Sequence, residues 1–111
     1  RILLAGLDDE ALNEYLDSAE LLVKTSRTVC TVEGLRASIQ QIREQGWVII
    51  DQELEVSLRS VAVPLRDSAG QVLAAINVGT HAGRVSRQEL ESRFLPALLE
   101  ASKELGARLY S

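Results

Sequence analysis

The chain has 111 residues, of which 46% are hydrophobic, 25% charged and 4% aromatic, and its formal net charge is −4. This balance describes one globular domain with an aliphatic core and excludes a disordered chain. The acidic surplus argues against a grip on a phosphate backbone, and no apolar run reaches the roughly 18 residues of a membrane span. A single Cys and a single His exclude an internal disulfide and a Cys/His zinc cluster. The opening does not read as a signal peptide. With Arg at position 1 and no Met anywhere, the chain reads as a processed or truncated piece of a longer protein.

Ile2-Leu3-Leu4-Ala5 followed by Gly6 reads as the tail of a helix with a left-handed glycine cap. Asp8 or Asp9 caps a second helix running to about Ala19, with Leu12, Tyr15, Leu16 and Ala19 on one face. Residues 20–30 read as a loop, with at most a short strand. Thr31 caps a helix whose buried face carries Leu35, Ile39 and Ile42 and which ends at Gly46. Trp47-Val48-Ile49-Ile50 is a β-branched strand. Residues 58–66 and 71–79 form two longer strands around the turn Asp67-Ser68-Ala69-Gly70. Ser86 with Glu89 is a capping box for a last helix. Its stripe is Leu90, Phe94, Leu98, Ala101, Leu105 and Leu109, and Pro96 should kink or split it near Phe94.

The hairpin carries the functional signal. With an even-numbered loop placing Arg66 opposite Gln71, Ser60 faces Asn77, Ala62 faces Ala75 and Leu58 faces Gly79, and these share a face with Pro64 and Leu73. The other face carries Arg59, Val61, Val63, Leu65, Val72, Ala74, Ile76 and Val78, large enough to pack under a helix. The small residues at the centre of the first face leave volume above the sheet. The neutral polar groups of Ser60 and Asn77 then suit hydrogen bonding to a carboxylate or hydroxyl. Small residues equally let a helix lie close, and a three-residue loop would slip the register by one.

Other chemistry is sparse. His81 has no Asp or Ser partner nearby in sequence and reads as part of a loop. Nothing near Cys30 would activate its thiol, so it reads as a small buried side chain. Asp51-Gln52-Glu53-Leu54-Glu55 is an acidic cluster whose ordinary fate is a solvated loop, and Asp51 stands nearest the strand end. No phosphate-binding loop, metal spacing or nucleophile–base pair emerges, so the chain does not read as an enzyme and implies no cofactor.

The order of these segments carries a resemblance. A helix ending Gln45-Gly46-Trp47 leads to Asp51-Gln52-Glu53-Leu54-Glu55, then to Leu58-Arg59-Ser60-Val61-Ala62-Val63-Pro64-Leu65-Arg66-Asp67 and Gly70-Gln71-Val72-Leu73-Ala74-Ala75-Ile76-Asn77-Val78. This resembles the C-terminal effector-binding domain of the IclR family of bacterial transcriptional regulators, over nearly the whole chain. Asn77-Val78-Gly79-Thr80-His81-Ala82-Gly83-Arg84-Val85-Ser86 and Phe94-Leu95-Pro96 are similar to the subgroup controlling aromatic-acid breakdown through the β-ketoadipate pathway.

The resemblance implies a GAF-like α+β fold with a curved antiparallel sheet and small organic acids bound on its concave face. It implies a cytoplasmic homodimer or tetramer that meets DNA through an N-terminal winged helix-turn-helix. Residues 1–111 would then be an N-terminally truncated effector-binding domain. Ser60 falls at a ligand-contacting position often occupied by Cys, Asn77 and Gly79 at two pocket serines, and Asp51 at an acidic position near the pocket mouth. The departures at Ser60, Asn77 and Gly79 imply an effector unlike glyoxylate or acetate. The expected function is therefore sensing of a small, aromatic or dicarboxylic acid. The other readings are a GAF-like dimerisation module with a filled face and a small hydrolase using Cys30 or His81.

Overall fold

The computed structural model describes residues 1–18, 31–53 and 55–109. The expected loop over residues 20–30, together with Ala19 and Cys30, lies outside them. The helices are α1 (Ile2–Ala5), α2 (Asp9–Ser18), α3 (Val32–Gln45), α4 (Arg87–Glu89) and α5 (Leu95–Leu109), and the strands are β1 (Val48–Asp51), β2 (Leu58–Arg66) and β3 (Val72–His81). The strands make an antiparallel sheet in the order β1-β2-β3, so the fold is α+β.

Local chemistry sets most boundaries. Asp8 Oδ1 accepts from the Ala11 amide at the start of α2 (2.8 Å), and Thr31 Oγ1 accepts from the Gly34 amide at the start of α3 (3.0 Å). Gly46 ends α3 at φ +84°, the left-handed cap that a glycine supplies. Ser86 and Glu89 form the reciprocal capping box.

Gly6 differs from its expectation. It closes α1 at φ −79°, in the right-handed region. The glycine is there for space: a Cβ on it would stand 2.6 Å from the Val72 Cβ.

Pro96 acts on the chain before it. Residues Leu90–Phe94 form a widened π turn, and α5 resumes at Leu95, whose amide reaches back to the Leu90 carbonyl. The wider turn absorbs the amide that proline lacks. The buried face of α5 is also not the expected stripe. Leu95, Leu98, Ser102 and Gly106 face the sheet, while Ala101 and Leu105 are exposed. Close approach decides this. Ser102 Oγ donates to the Pro64 carbonyl at 2.5 Å, and a Cβ on Gly106 would lie 2.8 Å from the Arg66 carbonyl oxygen.

The β2–β3 register differs by two residues from the even-loop expectation. Ser60 lies opposite Gly79, Ala62 opposite Asn77, Pro64 opposite Ala75 and Leu58 opposite His81. Two single offsets add. Arg66 pairs with Val72, so the loop holds residues 67–71, and Leu65 pairs with Ala74, so Leu73 is bulged. Asp67 organises the loop, its Oδ1 accepting from the amides of Ala69 and Gln71 (both 2.9 Å), and Gly70 takes φ +84°. An even shift keeps every side chain beyond the bulge on its expected face. Val72, before the bulge, changes sides and joins Ile2, Ile42, Val48 and Ala62.

The sheet thus separates two apolar clusters. On one side Ile49, Val61 and Val63, with Ile76 and Val78, pack under Leu90, Leu95 and Leu98. On the other, Val48, Ala62 and Val72 meet Ile2 of α1 and Ile42 of α3, while α2 buries Leu12 and Leu16 against Leu35 and Ile39 of α3. Val61 and Val63 are 0% exposed, each contributing about 1.5–3 kcal/mol of burial. Replacing Gly106 by Ala should lower stability by about 1–3 kcal/mol, because the obstacle is backbone; a fall in the urea midpoint measures it.

Candidate functional site

β2 and β3 deliver the candidate residues to one floor. Successive rows on the α1–α3 side read Val48–Ala62–Asn77 and Ile50–Ser60–Gly79, followed by the pair Leu58–His81. Ser60 and Asn77 are therefore diagonal neighbours, separated by roughly 7–8 Å between backbones, and Gly79 is the residue directly across from Ser60. The three share a face as expected, although the direct Ser60–Asn77 opposition is absent. Ser60 is half-buried, whereas Asn77 and Gly79 are exposed. Among the described residues a Cβ at Gly79 would meet only Leu58 Cδ1 at ordinary contact distance, 3.5 Å, so none of them demands a glycine there.

The floor is covered unequally. α1 and α3 cover Val48, Ala62 and, at the start of β3, Val72, and Ile50 packs against the same Ile2–Ile42–Val48 cluster. Leu73, Ala75, Asn77, Gly79 and His81 form an outward stripe along β3, exposed among the described residues. Two hollows of about 560 and 280 Å³ open around Pro64 and Arg66, at the other end of β2, and neither is lined by Ser60, Asn77 or Gly79.

His81 belongs to this floor rather than to a loop, because β3 continues through it. Its Nδ1 accepts from the Gly83 amide at 3.0 Å, so the neutral ring carries its proton on Nε2. The only sequence signal was its odd position in the alternation.

Asp51 stands on the other face. It pairs with Arg59 across β1–β2, in line with Ile49 and Val61. Its Oδ1 accepts from Arg59 Nε at 2.9 Å and from Gln52 Nε2 at 3.2 Å. Arg59 Nη1 also donates to the carbonyls of Ala82 (3.2 Å) and Val85 (2.7 Å), tying the turn after β3 to the sheet. Asp51 therefore braces the helix-covered side instead of facing Ser60.

Glu53, two residues on, goes to the opposite side. Its carboxylate pairs with the Arg1 guanidinium, whose Nη1 lies 3.0 Å from Glu53 Oε2 and 3.3 Å from Ser38 Oγ on α3. Asp51 and Glu53 of the acidic cluster thus enter separate ion pairs, and among the described residues no group of three or more His, Cys, Asp or Glu is placed to hold a metal. Nothing in the sequence linked Arg1 to Glu53, which stand 52 positions apart.

A family model described as bacterial transcriptional regulator IclR, C-terminal, matches residues 1–107. Over 110 residues the chain is 60% identical to the Pca regulon regulatory protein of Pseudomonas putida, covering 99% of this chain and 38% of that protein. A transcriptional regulator from Rhodococcus sp. RHA1 superposes with a TM-score of 0.95 at 38% identity, over 97% of this chain and 44% of that one. The PobR inducer-binding domain from Acinetobacter, solved as a double mutant with 3-hydroxybenzoic acid, superposes at 0.89 with 27% identity, over 95% of this chain and 60% of that one. The chain spans about two fifths of the length of the curated relatives it matches.

The division of roles between the two faces has a direct test. Asp51→Asn leaves the Arg59 guanidinium, 14% exposed as a side chain, without its carboxylate. Stability should fall by about 1–3 kcal/mol in urea titrations, while any acid binding on the Ser60 face persists.

Proposed function

Because the chain belongs to the IclR family of bacterial transcriptional regulators, matching its C-terminal domain and closely similar to regulators named for aromatic-acid operons, we propose that it is the part of such a regulator that senses a small carboxylic acid. The acid is aromatic or a dicarboxylic breakdown product, and it sits on the floor of Ser60, Asn77 and Gly79. Ser60 and Asn77 orient it through hydrogen bonds, and Gly79 leaves it room. The relatives are named as regulators rather than enzymes, and the acid is bound, not turned over.

The observation that carries this reading is the likeness to the PobR inducer-binding domain, which was solved with 3-hydroxybenzoic acid. The open floor of small residues, bearing two neutral polar side chains beside an apolar flank, supplies the chemistry that such an acid needs. Among the described residues no helix is long and apolar enough to cross a membrane, in keeping with a cytoplasmic regulator. Its acidic charge leaves operator contact to an N-terminal winged helix-turn-helix in the longer protein. Acid binding would act on DNA by favouring one arrangement of a homodimer or tetramer, and only a difference in affinity between arrangements can shift that equilibrium.

Thermal-shift screening of the full-length regulator against hydroxybenzoates and six-carbon dicarboxylates tests this proposal. Specific acids should raise the melting temperature. No shift with any acid favours a dimerisation module, and turnover of the acid an enzyme. Ser60→Leu should keep the melting temperature and abolish binding; a protein that melts markedly lower while still binding would place Ser60 in the core. Asn77→Ala should weaken binding roughly 10- to 150-fold, as expected for a hydrogen bond to a charged group, with its urea midpoint unchanged. An unaltered dissociation constant removes Asn77 from the site.

A further inference from the structure

Backbone conformation does not explain the glycine at position 83. Gly46 and Gly70 take positive φ, and Gly83 does not. What it spares is a side chain. A Cβ there would stand 3.1 Å from both Cε1 and Nδ1 of His81, so an added methyl would push the imidazole or swing it away. The same ring accepts the Gly83 amide through Nδ1 at 3.0 Å. The imidazole is thus seated on the turn that follows β3, and that seat is itself fixed. The His81 carbonyl accepts from the amides of Arg84 (2.9 Å) and Val85 (3.0 Å), and the Ala82 amide donates to the Ser57 carbonyl (2.8 Å). Arg59 holds the carbonyls of Ala82 and Val85 from β2. With Nδ1 engaged as an acceptor, the proton of the neutral ring is on Nε2, at a different edge, and the N–H is directed away from the Gly83 amide.

β3 places this donor on the Ser60 face. Asn77, Gly79 and His81 are successive exposed residues of one stripe, each roughly 6.5 Å from the next along the strand. Ser60 is directly across from Gly79. The stripe therefore sets a polar side chain on either side of a residue that has none. Resting on the proposed acid-binding floor, we infer that His81 is a specificity-determining residue of that floor. An effector lying over Gly79, with its carboxylate at Ser60 and Asn77, presents its other end to His81, and Nε2–H donates to a polar group there. A fixed N–H accepts a second carboxylate or a hydroxyl oxygen. It disfavours an apolar end, which takes water from the donor and returns no hydrogen bond. Gly83, which aims the ring, is a positioning residue.

A turn that uses His81 only to satisfy the Gly83 amide predicts different results. An asparagine side chain can accept an amide two residues on, so His81→Asn keeps the turn and removes the ring N–H. Calorimetric titrations of the full-length regulator would use two matched pairs, adipate with hexanoate and 4-hydroxybenzoate with benzoate. In each pair only the first acid is polar at both ends. His81→Asn should weaken adipate roughly 10- to 150-fold and 4-hydroxybenzoate roughly 2- to 12-fold. It should leave hexanoate, benzoate and the urea midpoint unchanged. Gly83→Ala retains the imidazole and should weaken the same two acids in part. Histidine-selective nitrogen NMR reads the ring without any acid. The His81 signals, assigned by their loss in His81→Asn, should show the proton on Nε2, and Gly83→Ala should lose that preference. Adipate and 4-hydroxybenzoate unchanged in His81→Asn, or all acids weakened equally, overturns the inference, and so does a wild-type ring protonated on Nδ1 alone.

Ser60→Leu separates the inference from the floor on which it rests. If Ser60→Leu abolishes binding while His81→Asn changes nothing, the floor stands and the His81 contact falls. If Ser60→Leu changes nothing, or if the wild-type protein binds none of these acids at millimolar concentration, the floor falls and the inference with it.

Discussion

The two faces of β2 are the constraint on which everything else rests. Side chains alternate along a strand, so β2 turns Val61, Val63 and Leu65 under the C-terminal helices and keeps Ser60, Ala62 and Pro64 half-buried on the opposite side. β3 inherits the same division only because the hairpin's two irregularities cancel in parity. A five-residue loop and one bulged residue move the register by two. Either alone would move it by one and turn Asn77 and Gly79 towards Leu90 and Leu98. Asp67 and Gly70, which shape the loop, and Leu73, which absorbs the bulge, thereby decide which chemistry reaches the Ser60 face.

The β1–β2 connection is held from both sides of the sheet. Asp51 is drawn to Arg59 on the face under the C-terminal helices, and Glu53 is drawn to Arg1 on the side of α1 and α3. Gln52, between them, takes φ +60° while its amide still donates to the Leu58 carbonyl, and the two neighbouring carboxylates go to opposite sides. Arg59 extends its side of the clamp to the carbonyls of Ala82 and Val85, so the turn after β3 is referred to the same strand. The elements around the candidate floor are thus linked by ion pairs of low exposure rather than by apolar packing alone.

Much of this was legible in the residues. Thr31, Gly46, Ser86 with Glu89, and the Asp67–Gly70 turn announced their roles because capping and turn chemistry is local. The even–odd pattern of residues 58–66 and 73–79 placed Ser60, Asn77 and Gly79 together for the same reason. What escaped depended on distant neighbours. Gly6 and Gly106 are glycines for closeness to Val72 and to the Arg66 carbonyl, and a sequence does not show what approaches. The face of α5 went to Ser102 and Gly106 rather than to Ala101 and Leu105, since contact with β2 outweighed hydropathy. Asp51 was legible as a strand-end acid but not as Arg59's partner, and the Arg1–Glu53 pair left no local trace at all. Family resemblance supplied the expectation of an effector, which spacing alone left balanced against close helix packing.

An acid effector held on the proposed floor of Ser60, Asn77 and Gly79 would shield the backbone of β2 and β3. Hydrogen–deuterium exchange on the full-length regulator, with and without a saturating acid from the screen, tests it most directly. Slower exchange is expected in peptides covering residues 58–62 and 75–81. Protection confined to residues 66–71 and 99–107, which border the 560 Å³ hollow near Pro64, with none along the two strands, would contradict it.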